Sequence, residues 1–234
     1  MQGWSSRFFA PNKGIDLLNP FVGYWAGSGD YGETATNIQT LVDISGNGRN
    51  ASQAEVARRP QFTPGDIPYF TFNNNQVKMP LPIMPADMNG RPWSVYFRLA
   101  PLSVSGMIPI MSGGADVANQ TFLILFYNAN PSISQHSQSP AYLTSSYVTQ
   151  VGKPLDMLIV HTVKGAEGVN DLYADDKKDS ITWNTNLSVG NTYPILLGNY
   201  YRYNYTSQFK LNRFAFWRDR AITAAEFAQL RAAE

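Results

Sequence analysis

The chain contains no cysteine, which excludes disulfides, thiolate nucleophiles and cysteine-ligated metal sites together. Charge is scarce: 15% of its 234 residues are Asp, Glu, Lys or Arg, against about a quarter in ordinary globular domains. The signs nearly cancel, 18 basic side chains against 17 acidic for a net charge of +1. A dedicated polyanion binder, whose affinity comes largely from neutralised phosphates, is therefore not expected. Two histidines are too few for a histidine-rich metal site, and no HExxH, P-loop or Gly-x-Ser-x-Gly elbow occurs. Long apolar runs are missing as well. The longest, Phe122 to Tyr127, is far too short to cross a bilayer. Met1 to Pro11 holds no stretch long enough for a secretory h-region. The expectations are synthesis in a cytoplasm without a signal peptide, no membrane insertion, no nucleic-acid partner and no cofactor.

What the chain has in plenty is aromatic and turn-forming residues. Aromatics make up 13%, with 13 Tyr and 13 Phe, among 18 Gly and 15 Pro. This is a composition of strand formers separated by turns. From Phe21 onward, apolar runs of four to nine residues recur between Gly, Pro and Asn, as antiparallel strands require. They include Phe21 to Trp25, Tyr69 to Phe72, Trp93 to Leu99, Met107 to Met111 and Thr121 to Tyr127. Leu155 to Val163, Asp171 to Ala174, Ile181 to Trp183, Pro194 to Leu197 and Phe209 to Trp217 follow. Trp93 to Leu99 alternates, with Ser94, Tyr96 and Arg98 on its second face. A helical period appears only at the end. There Thr223 and Glu226 have the spacing of a capping box, and Phe227 and Leu230 the spacing to dock one helix face. A chain of 26.0 kDa buries about 70% of its extended-chain surface on folding, enough for one large core. Residues 1–20 show neither period. They read as an extended N-terminal arm anchored through Trp4, Phe8, Phe9 and Ile15, ahead of one domain over 21–234.

Three segments resemble one family. The first is Leu41-Val-Asp43-Ile-Ser45-Gly46-Asn47-Gly48-Arg49-Asn50-Ala51, followed by Arg59-Pro60 and Phe70 to Phe72. It is similar to the Asp-x-Ser-Gly-Asn-Gly-x-Asn-Ala segment of laminin-G-like, concanavalin A-like jelly rolls, many of which sit in bacteriophage structural proteins. The second is Leu158 to Val163 with Asp171 to Asp176, which resembles that family's strand and following hairpin. The third is Leu211 to Arg218 with Arg220, Ile222, Thr223 and Glu226, which resembles its last strand and closing helix. The resemblance implies an all-β, two-sheet antiparallel jelly-roll sandwich with a short C-terminal helix. It also implies a structural protein of a tailed phage virion. The expectation is a decoration or auxiliary protein with capsid or tail proteins as partners, and host glycans or a second copy as further candidates. A free carbohydrate-binding module is the alternative, and a glycan-cleaving enzyme the third choice. In the Asp43 loop, glycines and hydrogen-bonding side chains point to a tight structural turn ahead of a calcium site, which needs six to eight oxygens.

Catalytic groups do not assemble in the sequence. Glycosidases use two carboxylates flanking the scissile bond. The five glutamates, Glu33, Glu55, Glu167, Glu226 and Glu234, stand well apart. His136 falls in a Ser-, Gln- and Asn-rich loop, and His161 on an apolar strand. No catalytic residue and no metal ligand is assigned, and the expected protein is not an enzyme. The candidate contact segment is Tyr200, Tyr201, Arg202, Tyr203 and Tyr205. Four tyrosines and an arginine within six residues suit either a protein interface or a stacked sugar. An ordinary alternating strand accounts for them equally well.

Overall fold

The computed structural model describes residues 18–28, 37–113, 122–135, 141–183, 194–198 and 205–232. Their strands run in chain order β1 (Val22–Trp25), β2 (Thr40–Leu41), β3 (Ala51–Ser52), β4 (Gln61–Thr63), β5 (Tyr69–Asn74) and β6 (Lys78–Pro80). Next come β7 (Trp93–Pro101), β8 (Met107–Gly113), β9 (Phe122–Tyr127), β10 (Asn130–Gln135) and β11 (Ala141–Thr144). The last are β12 (Leu155–Lys164), β13 (Glu167–Ala174), β14 (Lys177–Trp183), β15 (Leu196–Gly198) and β16 (Ser207–Arg218), before helix α1 (Ala224–Ala232). The large sheet has the order β14-β13-β12-β7-β16-β5-β4, with β1 also on β16. The smaller has the order β11-β10-β9-β8-β15-β6, and β2 and β3 form a separate ribbon. All pairings are antiparallel.

The two sheets enclose one core. Trp93, Val95, Phe97 and Leu99 of β7 point into it, as do Ile124 and Phe126 of β9 and Phe214 and Phe216 of β16. Phe72 and Phe209 stack there with ring centroids 4.7 Å apart. The all-β sandwich with one terminal helix is thus the fold. The apolar runs name no strand between Tyr127 and Leu155, and the structure places β10 and β11 there. Asn130–Gln135 is β10, paired with β9 and β11. Its apolar signal is the single residue Ile133, while Ser132 and Ser134 are buried on the other face.

Strand β16 organises the large sheet. Along one side it pairs with β7; along the other it meets β5 over Ser207 to Leu211 and then β1 over Arg213 to Phe216. Its register slips between Leu211 and Arg213, which leaves Asn212 as a bulge residue. Asn212 holds both neighbours: its Nδ2 donates to the Pro68 carbonyl at 2.7 Å, and its own carbonyl accepts from Ala26 N at 2.9 Å. Strand side chains alternate with period two, so an inserted residue exchanges the faces beyond it. Phe209 and Leu211 face the core before the bulge, and Phe214 and Phe216 after it. The extra residue therefore turns Arg213 outward and keeps Phe214 inside.

Helix α1 covers part of the outer face of the large sheet. Its capping box forms as expected: Glu226 N donates to Thr223 Oγ1 at 3.3 Å and Thr223 N donates to Glu226 Oε2 at 2.8 Å. Phe227 and Leu230 are buried against Tyr96, Leu158, Val160, Ala215 and Trp217, each burial contributing about 1.5–3 kcal/mol. Leu18, the start of the described chain, is buried in the same cluster. Its carbonyl accepts from Trp217 Nε1 at 2.9 Å and from the Arg220 guanidinium.

Candidate functional site

Beside α1, the outer face of the large sheet carries a row of polar and aromatic side chains in register. Asp156 on β12 lies opposite Arg98 on β7. Arg98 lies opposite Arg213 on β16, and Arg213 lies opposite Trp25 on β1. Alternation on β7 puts Arg98 on this face, and the Asn212 bulge does the same for Arg213.

Each member is positioned by its surroundings. The Arg213 guanidinium lies 5.7 Å from the Trp25 ring centroid, within cation–π range, and the residue is 6% exposed. The Trp25 indole rests over Gly27, where a Cβ would come within 2.6 Å of the ring; any larger residue would displace it. Asp156 is buried and accepts a short hydrogen bond from Tyr96 Oη. Burial pushes its carboxyl above the usual range, while the Tyr96 bond and the Arg98 charge act the other way. Burial also drives the Tyr96 phenol well above its ordinary value, and the Asp156 charge adds to it.

Two clefts open on this row and share Arg98 as a wall. One, of about 210 Å³, is lined by Trp25, Ile67, Pro68, Arg98, Arg213 and the rim carboxylate Asp66, among others. The second, of about 420 Å³, lies between Arg98 and Asp156 on the sheet and Ala228, Arg231 and Ala232 of α1. Arg231 is braced by donating from Nη1 to the Asp175 carbonyl at 2.9 Å. The groove thus offers an aromatic face, planar guanidinium donors and a buried acceptor. Such a mixture suits a hydroxylated ligand with polar edges and an apolar face.

The residues singled out in the sequence lie elsewhere. Tyr205 is half-buried on the outer face of the smaller sheet, packed against Leu123 and Leu125. Tyr200, Tyr201, Arg202 and Tyr203 lie outside the described residues, as do Trp4, Phe8, Phe9, Ile15 and His136. His161 is a core residue: its ring stacks on Trp93 at 5.3 Å, and its Nδ1 is 3.0 Å from Asn170 Oδ1. The Asp43 loop is a hydrogen-bonded knot. Asp43 Oδ1 accepts from Gly23 N and Ser45 N, both at 3.0 Å. Its Oδ2 accepts from Ser45 Oγ and Arg49 N, both at 2.8 Å. Four donors converge on this carboxylate, an arrangement that serves the turn and repels a cation. Gly46 and Gly48 both take positive φ, 81° and 67°. Sequence reasoning missed Trp25, Arg213 and Asp156; of the row, only Arg98 had a signal, its place on the second face of β7.

No protein-family model matches the chain, and no curated protein matches it in sequence. Its fold does recur among solved structures. The Trypanosoma rangeli sialidase in complex with sialic acid superposes with a TM-score of 0.62 at 11% identity, over 92% of this chain and 33% of the sialidase. The receptor-binding domain of botulinum neurotoxin D gives 0.64 at 11% identity, over 95% of this chain and 54% of that one. The CBM40 of Ruminococcus gnavus IT-sialidase, bound to α2,3-sialyllactose, gives 0.51 at 10% identity, over 63% and 84%. The chain therefore spans about a third of the sialidase it resembles and about half of the toxin domain. At these identities the likeness is one of architecture: the chain is a β-sandwich of the lectin-like, jelly-roll type.

Proposed function

We propose that this chain is a non-enzymatic glycan-binding module that takes its ligand in the groove along Trp25, Arg213, Arg98 and Asp156. The observation that carries this is the registered row itself. An aromatic face and forked donors stand side by side on the outer sheet face, and they line clefts that share Arg98. Two structures of the same architecture hold sugars, the sialidase with sialic acid and the CBM40 with α2,3-sialyllactose. Binding is favoured over cleavage because the two carboxylates, Asp66 and Asp156, line different clefts and Asp156 is buried and committed to Tyr96, where glycoside hydrolysis ordinarily uses a pair flanking one bond.

The test is titration calorimetry against a panel of neutral and acidic oligosaccharides, with reducing-end release measured alongside. We expect saturable binding, no release, and at least a tenfold loss of affinity in Trp25→Ala with its melting temperature retained. If no glycan binds, or if Trp25→Ala binds as the parent does, this reading falls. Release of reducing ends would make the chain an enzyme. A finer placement, as a decoration protein on a tailed-phage virion with capsid or tail partners, rests on the Asp43 to Ala51 motif. It predicts that the protein cosediments with purified particles at fixed stoichiometry.

A further inference from the structure

We propose that the groove selects a carboxylated saccharide, with Arg98 and Arg213 as the clamp for the carboxylate. This deepens the glycan-binding reading and rests on it. The two arginines are directly opposite on neighbouring antiparallel strands and share a face. The bulge brings it about: with Asn212 in plain alternation instead, β16 would turn Arg213 to the core and Phe214 to this face. Both arginines line the same cleft, and a planar guanidinium matches a carboxylate with two parallel hydrogen bonds, which an ammonium does not.

The surrounding charge has the same sense. Among the described residues, the two clefts are lined by three arginines, Arg98, Arg213 and Arg231, against two aspartates, Asp66 and Asp156. Trp25 closes the far side of Arg213 and offers a ring to the apolar face of the sugar. The second cleft, on the other side of Arg98, gives the next sugar of the chain a place beside Arg231. The ligand this describes is an oligosaccharide bearing a uronic or ulosonic acid.

The experiment uses the full chain with two pairs of probes, tri-galacturonic acid with its methyl ester and α2,3-sialyllactose with lactose. In each pair the second member lacks the free carboxylate. We expect one acidic probe to bind at least about tenfold more tightly than its neutral partner, and this preference to shrink as sodium chloride rises from about 50 to about 300 mM, which shortens the screening length about 2.4-fold. Arg98→Gln should erase the preference, weakening the acidic probe of a pair far more than its neutral partner. Arg98→Lys, which keeps the charge but not the fork, should restore only a small part of it. Trp25→Ala should weaken acidic and neutral probes alike. Equal binding of both members overturns the carboxylate clamp and leaves the glycan-binding reading standing. Absence of all binding, here and to the neutral panel, removes both. Because Arg213 is buried, Arg213→Gln is scored only alongside its melting curve. An Arg98→Gln variant that melts as the parent does yet keeps the preference refutes the proposal outright.

Discussion

Replacing Asp43 by Ala removes an acceptor for three backbone N–H groups and one hydroxyl. The cost follows from where each donor lies. Gly23 N belongs to β1 on a buried residue, so losing its partner leaves an orphan amide worth about 1–3 kcal/mol. Ser45 and Arg49 are half-exposed, so water replaces part of what they lose, and about 0.5 kcal/mol each is a fair charge. The sum is roughly 2–4 kcal/mol. For a chain of this length about 2–4 °C of melting temperature accompanies each kcal/mol, so the expected drop is on the order of 4–16 °C. Asp43→Asn keeps the shape but turns an NH₂ toward N–H donors, and most of the loss should persist. Equilibrium urea unfolding, with the m-value compared, reads the free energy directly. A change below about 1 kcal/mol at constant m-value, within reach of an ordinary surface substitution, would refute the idea that this carboxylate organises the loop. The same geometry predicts that EDTA leaves the parent melting temperature unchanged.

Three further outcomes are expected. Burial holds the His161 imidazole below its ordinary value, with the Asn170 bond acting against it. The unfolded chain therefore takes up the proton first. The stability this group contributes is complete above about pH 6.5 and is lost as pH falls through its lower folded value. Melting curves between pH 8 and pH 5, a window set around that value, should show a shallower acid limb in His161→Phe than in the parent. Gly168→Ala places a Cβ 2.5 Å from His161 Cε1, and the imidazole is already stacked on Trp93; about 1–3 kcal/mol should be lost, and parent-like urea midpoints would show that the ring has room to move. Thr223→Ala should lower stability by about 1 kcal/mol through the lost N-cap bond, with Thr223→Ser near the parent; equal stability of all three proteins would deny the cap a role.

Local features were legible in the sequence. Alternation placed Ser94, Tyr96 and Arg98 on one face of β7, and the spacing of Thr223 and Glu226 announced α1, because both depend on neighbours a few residues away. The glycine conformations at 46 and 48 were legible for the same reason. Strand β10 escaped because its buried serines carry no apolar signal. The groove escaped for a different reason. Asp156, Arg98, Arg213 and Trp25 come from four separate strands, and only the pairing register aligns them. That register depends in turn on the bulge at Asn212, a residue that is unremarkable in a list of amino acids. The Tyr200 to Tyr205 segment drew the eye by composition, yet its described member, Tyr205, packs on the opposite sheet from the groove.

The position of β16 at the middle of the large sheet has a consequence for how the protein is made. β1, β5 and β7 leave the ribosome long before the strand that joins them, and the Leu18 carbonyl waits for a donor 199 residues later. Until Arg218 has emerged, the flanks of β1, β5 and β7 that it will pair are open edges able to join other chains. Loop closure over such distances is slow, and a nascent chain in this state is exposed to aggregation. Folding of the large sheet should therefore wait until β16 has emerged. Synthesis at low temperature or with added chaperone should raise the soluble yield more than any substitution in the groove.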